Sequence, residues 1–136
     1  MALREEAEHR QRYDARHALA THDATLAVEA EAVGSDYGNA GFTTMAQAEA
    51  IAELLELRGT DRLLDVGSGA GWPGLYLAKR SDCHVVVSDL SPAGMVQARR
   101  RAAADGTSAD TVVASARQLP FRPEQFDAIV HTDLLC

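Results

Sequence analysis

The chain has 136 residues, with 13 basic against 20 acidic side chains, a formal net charge of −7 and 46% hydrophobic residues. That length fits one domain with no room for a second, and it suffices to bury a core without disulfides or a structural metal. The acidic balance lacks the basic stripe that supplies most affinity for a phosphate backbone, so nucleic acid is not an expected partner.

The N-terminus, Met1 to Glu6, carries charges where a secretory signal needs its apolar stretch. Nowhere do about 18 apolar residues run together, so a cytoplasmic protein without a membrane partner is expected. Cys83 and Cys136 have no Cys or His partner at metal-ligand spacing, and they read as a buried and a terminal thiol with no metal site.

Residues Leu3 to Val33 are rich in Ala, Glu, Arg and His and lack Gly and Pro. Apolar residues at loose helical spacing, such as Leu19, Leu26 and Val33, predict one long helix or two shorter ones. Tyr13, His17 and His22 in this region read as surface or packing residues rather than metal ligands. From Gly34 to Gly41, glycines alternate with Ser35, Asp36 and Asn39, the composition of a turn; Tyr37, Gly38, Asn39 and Gly41 are either that turn or a lid over a ligand. Thr43 or Thr44 can then cap a helix with an apolar stripe of Met45, Ala48, Ile51, Ala52 and Leu55, with Leu54 as an optional member, closed by Gly59.

Beyond Gly59, short apolar runs alternate with helical segments. Arg62–Val66 reads as a buried strand, followed by a glycine loop and a helix from about Pro73 to Lys79. His84–Ser88 is a second strand, and Ser91-Pro92 opens a helix with an N-cap and a proline at its first position. Arg99, Arg100 and Arg101 read as a solvated face near the end of that helix. Thr111–Ala114 and Phe126–His131 complete four strands. Strands separated by helices imply a parallel sheet with right-handed crossovers and ligand chemistry at the carboxyl ends of the strands.

The sharpest local signal is Leu64-Asp65-Val66-Gly67-Ser68-Gly69-Ala70-Gly71, a strand that runs into a glycine turn and then a helix. Such glycines let a ligand approach the main chain without meeting a Cβ. Gly69 to Gly74 also matches the dinucleotide pattern G-x-G-x-x-G, which keeps a nicotinamide-dependent oxidoreductase as one reading. Asp65, ending the first strand, would oppose a pyrophosphate but suit an ammonium group. Asp89 follows the second strand where a carboxylate accepts from ribose hydroxyls.

From Phe42 to Cys136 these residues resemble the class I S-adenosylmethionine-dependent methyltransferases, particularly the small-molecule type. The resemblance implies that the Asp65–Gly71 turn, with Gly67, Ser68 and Gly69, wraps the methionine part of the cofactor, that Asp65 handles its amino group, and that Asp89 holds the ribose with Leu90 against the adenine. The segment from Ala114 to Phe121, followed by Phe126–Val130, is similar to a further family block that places Ser115 and Ala116 at the adenine. Ser115 stands where the family usually carries an aspartate. His131 as a base and Asp133 as an acceptor contact are the catalytic candidates.

The expected architecture is therefore α/β: a Rossmann-like parallel sheet in the order 3-2-1-4, with residues 1–41 as a helical extension or lid and 42–136 as the cofactor-binding core of a single domain. The family's sheet has seven strands in the order 3-2-1-4-5-7-6, and strands five to seven have no counterpart in this sequence. The expected activity is methyl transfer from S-adenosylmethionine to a small-molecule acceptor, by a chain read as a truncated methyltransferase. Alternatives are a non-catalytic cofactor-binding remnant or a dimerisation module, with homodimer contacts along the edge of the fourth strand.

Overall fold

The computed structural model describes residues 2–38 and 41–134, so that Asn39 of the turn segment and Cys136 lie outside the described residues. Nine elements follow in chain order: α1 (Ala2–Leu19), α2 (Asp23–Val33), α3 (Met45–Leu55), β1 (Arg62–Val66), α4 (Gly74–Ser81), β2 (His84–Asp89), α5 (Pro92–Asp105), β3 (Ala109–Val113) and β4 (Ala128–Val130). The sheet has the order β3-β2-β1-β4 and every pairing is parallel. The alternation of strands and helices predicted the parallel sheet, and this is the order that the resemblance to the class I methyltransferases implied.

Strand periodicity divides the core. Leu63, Val85 and Val87 point to one face, where they pack with Leu75, Leu77 and Ala78 of α4 and Met95, Ala98 and Ala102 of α5. Leu64, Val66 and Val86 point to the other, against Val112, Leu119, Phe121, Phe126 and Leu134. The helices α3, α4 and α5 thus serve the first face, while the second is covered by the Leu119–Phe126 segment, within which the Phe121 and Phe126 rings meet edge to face at 5.1 Å. Ile129 of β4 is left exposed.

Local chemistry sets the element ends. The Leu3–Val33 region is two helices, because the Thr21 hydroxyl donates to Ala18 O and His22 leaves the helix in an extended conformation. Thr44 caps α3 in a reciprocal capping box with Gln47. That helix ends with Glu56 in the left-handed region (φ 47°), earlier than the closure expected at Gly59. Ser91 caps α5, its Oγ accepting from Gly94 N at 3.0 Å.

Several expectations are corrected. Among the described residues the buried side chains of α1 and α2 are His17 and Glu29, while Leu26 and Val33 are half-buried and Leu19 is exposed. Leu54 is 82% exposed and takes no part in the α3 stripe. The fourth strand is shorter than expected, Ala128–Val130; just before it Asp127 N donates to Arg62 O at 2.9 Å and the Asp127 carboxylate accepts from Arg62 N at 2.8 Å. Arg101 is not a solvated residue: its guanidinium lies 4.4 Å from the Tyr37 ring centroid and donates to Asp36.

Among the described residues no helix is long and apolar enough to cross a membrane. No group of three or more His, Cys, Asp or Glu side chains among them is placed to hold a metal ion.

Candidate cofactor site at the strand ends

The chain reverses direction after β1 on a loop tied directly to β2. Gly67 N and Ser68 N both donate to Ser88 O, at 2.8 and 3.0 Å, and Gly69 N donates to Asp89 Oδ2 at 2.9 Å. Gly67 (φ 72°) and Gly69 (φ 57°) occupy the left-handed region this path requires. The other carboxylate oxygen of Asp89 accepts from Ser91 N at 2.9 Å. Asp89 therefore holds together the glycine loop and the start of α5, and each oxygen keeps a second lone pair for a ligand hydroxyl.

Above this junction lies a cavity of about 290 Å³. Its floor is formed by Gly67, Gly69, Asp89, Leu90, Ala114 and Ala116, from the carboxyl ends of three strands. Phe42, Thr132, Asp133 and Leu134 form one side, and α1 closes the top with His9, Arg12, Tyr13, Arg16 and His17. The strand-end position is where open α/β sheets bind ligands.

Of the residues expected at the site, Gly67, Gly69, Asp89, Leu90 and Ala116 line this cavity, whereas Asp65, Ser68, Gly71 and Ser115 do not. Asp65 points into the helix face, as the alternation from Leu63 requires. It is fully buried, and its Oδ2 accepts from Gly74 N at 2.8 Å, so it caps the start of α4. Burial pushes its carboxyl up to about 8, with the Gly74 hydrogen bond acting the other way and the Asp89 charge adding to the rise. Its Oδ1 has no protein partner. A Cβ on Gly74 would lie 2.6 Å from Asp65 Oδ2, so the two residues require each other. The opposition between Asp65 and a bound pyrophosphate inferred from sequence therefore has no support in this geometry.

Gly71 is a packing glycine, since a Cβ there would come within 2.5 Å of Leu75 Cδ1. Ser68 is buried behind the loop with its Oγ unpartnered. Ser115 Oγ donates to the Glu6 carboxylate and accepts from Arg117 N. His131 is exposed and outside the cavity. Asp133 lines it, but its Oδ2 receives Phe42 N, Thr43 N and Thr43 Oγ1 at 2.9, 3.2 and 3.0 Å, which makes it an anchor for the segment before α3.

Helix α1 is the part of the site that sequence reasoning missed. Asp14 Oδ1 accepts from Ser91 Oγ at 2.5 Å and from Ala93 N at 3.2 Å, placing an anion at the N-terminus of α5. Gln97 Nε2 donates to His17 O at 2.6 Å, and the His17 ring is 1% exposed over Gly94. Desolvation lowers the His17 pKa against the opposing pull of Asp89, Gly38 and Asp14, and its Nδ1 has no protein partner. The readable signal was the recurrence of His9, Tyr13 and Arg16 on one helix face, where an ordinary surface helix carries its apolar stripe. Trp72 both touches the cavity and packs: its buried ring lies between Tyr37 at 5.0 Å and Tyr76 at 5.5 Å while Nε1 donates to Thr43 O.

Comparison with known proteins agrees with this geometry. Residues 63–136 match the family described as methyltransferase domain. An uncharacterized protein of Mycobacterium tuberculosis (strain ATCC 25618 / H37Rv) is 40% identical over 76 residues, covering 56% of this chain and 27% of the relative. A demethylmenaquinone methyltransferase of Clavibacter sepedonicus is 35% identical over 92 residues, covering 68% of this chain and 35% of the relative. A SAM-dependent methyltransferase from Thiobacillus denitrificans, solved with S-adenosyl-L-homocysteine, superposes with a TM-score of 0.58 at 27% identity, covering 65% of this chain and 36% of that one. The chain thus spans about a third of the length of these relatives. With a match over more than half of its residues, a sheet in the expected order and a glycine loop at the strand ends, the chain belongs to the methyltransferase-domain family.

Proposed function

We propose that this chain is the cofactor-binding part of an S-adenosylmethionine-dependent methyltransferase acting on a small-molecule acceptor. The observation that carries the reading is the junction of Gly69 and Asp89 beneath a strand-end cavity, within a chain of the methyltransferase-domain family. The residues fit a nucleoside ligand. Asp89 retains acceptor capacity on both oxygens for ribose hydroxyls, Leu90 and Ala116 offer an apolar surface to a base, and Gly67 and Gly69 admit close main-chain approach. When bound, S-adenosylmethionine supplies an electrophilic methyl group on a sulfonium centre.

The work of the chain's own residues is binding and orientation. Asp89 and the loop hold the nucleoside, and α1 with Phe42 shields the cavity from water on its outer side. Asp65 acts on this site indirectly, through the start of α4. Ser115 acts through its contact with Glu6 at the edge of the floor. His131 has no cavity contact that would make it a base, so the reading assigns the reaction to positioning rather than to a proton-transfer residue.

Calorimetric titration with S-adenosylhomocysteine, with NADH as control, tests this reading. Saturable S-adenosylhomocysteine binding, weakened about tenfold or more in Asp89→Asn, is the expected result. Preferential NADH binding would instead support the oxidoreductase alternative. Absence of S-adenosylhomocysteine binding by a folded sample would overturn the proposal.

A further inference from the structure

Helix α1 places one wholly buried polar ring in the cavity wall. His17 is 1% exposed and lines the cavity together with Asp89. The residue is held from three sides. Its main-chain carbonyl accepts from Gln97 Nε2 at 2.6 Å, and its Cδ2 lies 3.2 Å from the point where a Cβ on Gly94 would stand. On the third side the ring hydrogen-bonds the Gly38 main chain in the sense that favours a ring proton, which makes the Gly38 carbonyl the acceptor. Glu29 fixes the turn that carries this carbonyl, because its carboxylate receives Ser35 Oγ, Tyr37 N and Gly38 N at 2.8, 3.2 and 2.8 Å.

The Gly38 bond also decides the tautomer. Nδ1 has no hydrogen-bond partner among the described residues, so the donor to Gly38 is Nε2. Desolvation lowers the pKa of the ring, and the neutral form with its proton on Nε2 presents a bare lone pair at Nδ1. Of the charged groups that act on this ring, the Asp89 carboxylate acts most strongly, so the two acceptors are neighbours in the cavity wall. A buried acceptor without any donor is the costlier deficit, since each Asp89 oxygen already receives a main-chain N–H.

Two neighbouring acceptors, one of them bare, are complementary to a ligand with two adjacent hydroxyl donors, which is what the cis-diol of a ribose carries. Resting on the proposed function, we infer that His17 is a sugar-reading residue of the cofactor site: its Nδ1 accepts from one ribose hydroxyl while Asp89 holds the other. The ligand then satisfies the group that folding leaves unpaired, and α1 contacts the cofactor directly.

The test titrates the 136-residue chain with S-adenosylhomocysteine and with its 2′-deoxy and 3′-deoxy analogues. Wild type is compared with His17→Phe, which keeps a ring but has no acceptor, and with His17→Asn, whose side-chain carbonyl can take the place of Nδ1. Gln97→Ala, which removes the tie to the His17 carbonyl and leaves the ring, is the control, and circular dichroism checks the fold of each. In wild type each deoxy analogue is expected to bind about tenfold more weakly than the parent. In His17→Phe one of the two should lose that deficit while the other keeps it. His17→Asn should restore the discrimination, and Gln97→Ala should keep both ratios even where it weakens every ligand.

Should His17→Phe fail to fold, nitrogen-15 NMR of histidine-labelled wild type decides instead. The Nδ1 resonance of His17 should move with S-adenosylhomocysteine and with one deoxy analogue, and stay in place with the other. Equal weakening of all three ligands in His17→Phe makes the residue a packing group and overturns the inference. So does wild-type binding that ignores the loss of either hydroxyl, or an Nδ1 resonance that responds alike to all three ligands. If folded wild type binds no S-adenosylhomocysteine at all, the proposed function falls and this inference with it. Binding with ratios unchanged in His17→Phe overturns the inference alone and leaves the function standing.

Discussion

The glycine loop and helix α1 face each other across one cavity but are held by different physics. The loop grows out of a strand whose Leu63 and Leu64 are buried, and its amides are locked to Ser88 O and Asp89. Helix α1 buries only His17 among its described side chains, and it is attached through Glu6, Asp14 and the His17 carbonyl. Apolar burial in the sheet couples the loop to the global fold. Polar anchors in partial contact with water can open locally at a smaller cost.

The largest expected effect breaks the sheet side. Leu63→Ala removes a fully buried side chain between α4, β2 and β4, and should lower the unfolding free energy by about 2–5 kcal/mol in chemical denaturation. Next is Gly74→Ala, whose Cβ would press on the Asp65 carboxylate. A loss of about 1–3 kcal/mol is expected, with the glycine loop disturbed through the displaced start of α4.

Asp65 also sharpens the comparison through pH. Its folded pKa is raised to about 8 from an ordinary 3.8, so the native state keeps a proton that the unfolded chain has lost. The stabilisation linked to that proton is complete below the unfolded value and is lost as pH rises through about 8. Denaturation of the wild type at several pH values should show this decline. Asp65→Asn, which still offers an acceptor to Gly74 N, should flatten it and be the more stable form at the alkaline end.

The smallest effect belongs to α1. Asp14→Ala removes the acceptor for Ser91 Oγ and Ala93 N, and should lower the free energy of local α1 opening by about 1 kcal/mol. Hydrogen exchange should rise in the α1 amides while those of β1 and β2 keep their protection. Equal loss of protection in both regions would show that the helix and the sheet form one cooperative unit.

Much of the sheet side was legible in the residues. Val85, Val86 and Val87 read as a buried strand because both of their faces are covered, and the Ser91-Pro92 pair marked the start of α5. The Gly67–Gly71 motif located the site, since few other patterns let the main chain turn and still meet a ligand. The roles within it were less visible: Asp65 and Gly71 belong to the same motif as Gly67 and Gly69, yet the first pair packs against α4 and the second lines the cavity.

What the amino-acid sequence determined by itself was the α/β class, a parallel sheet and the strand-end location of the cavity, while the strand order followed from the family resemblance. Hydrophobic periodicity and glycine spacing are local properties that act over a few neighbouring residues. Only the tertiary structure decided that Asp65 turns toward Gly74, that Asp133 anchors Thr43, and that Arg12 and Arg16 of α1 line the same cavity as Asp89. Those outcomes depend on contacts between segments as distant as Asp14 and Ser91, and on the burial that decides which polar group finds a partner.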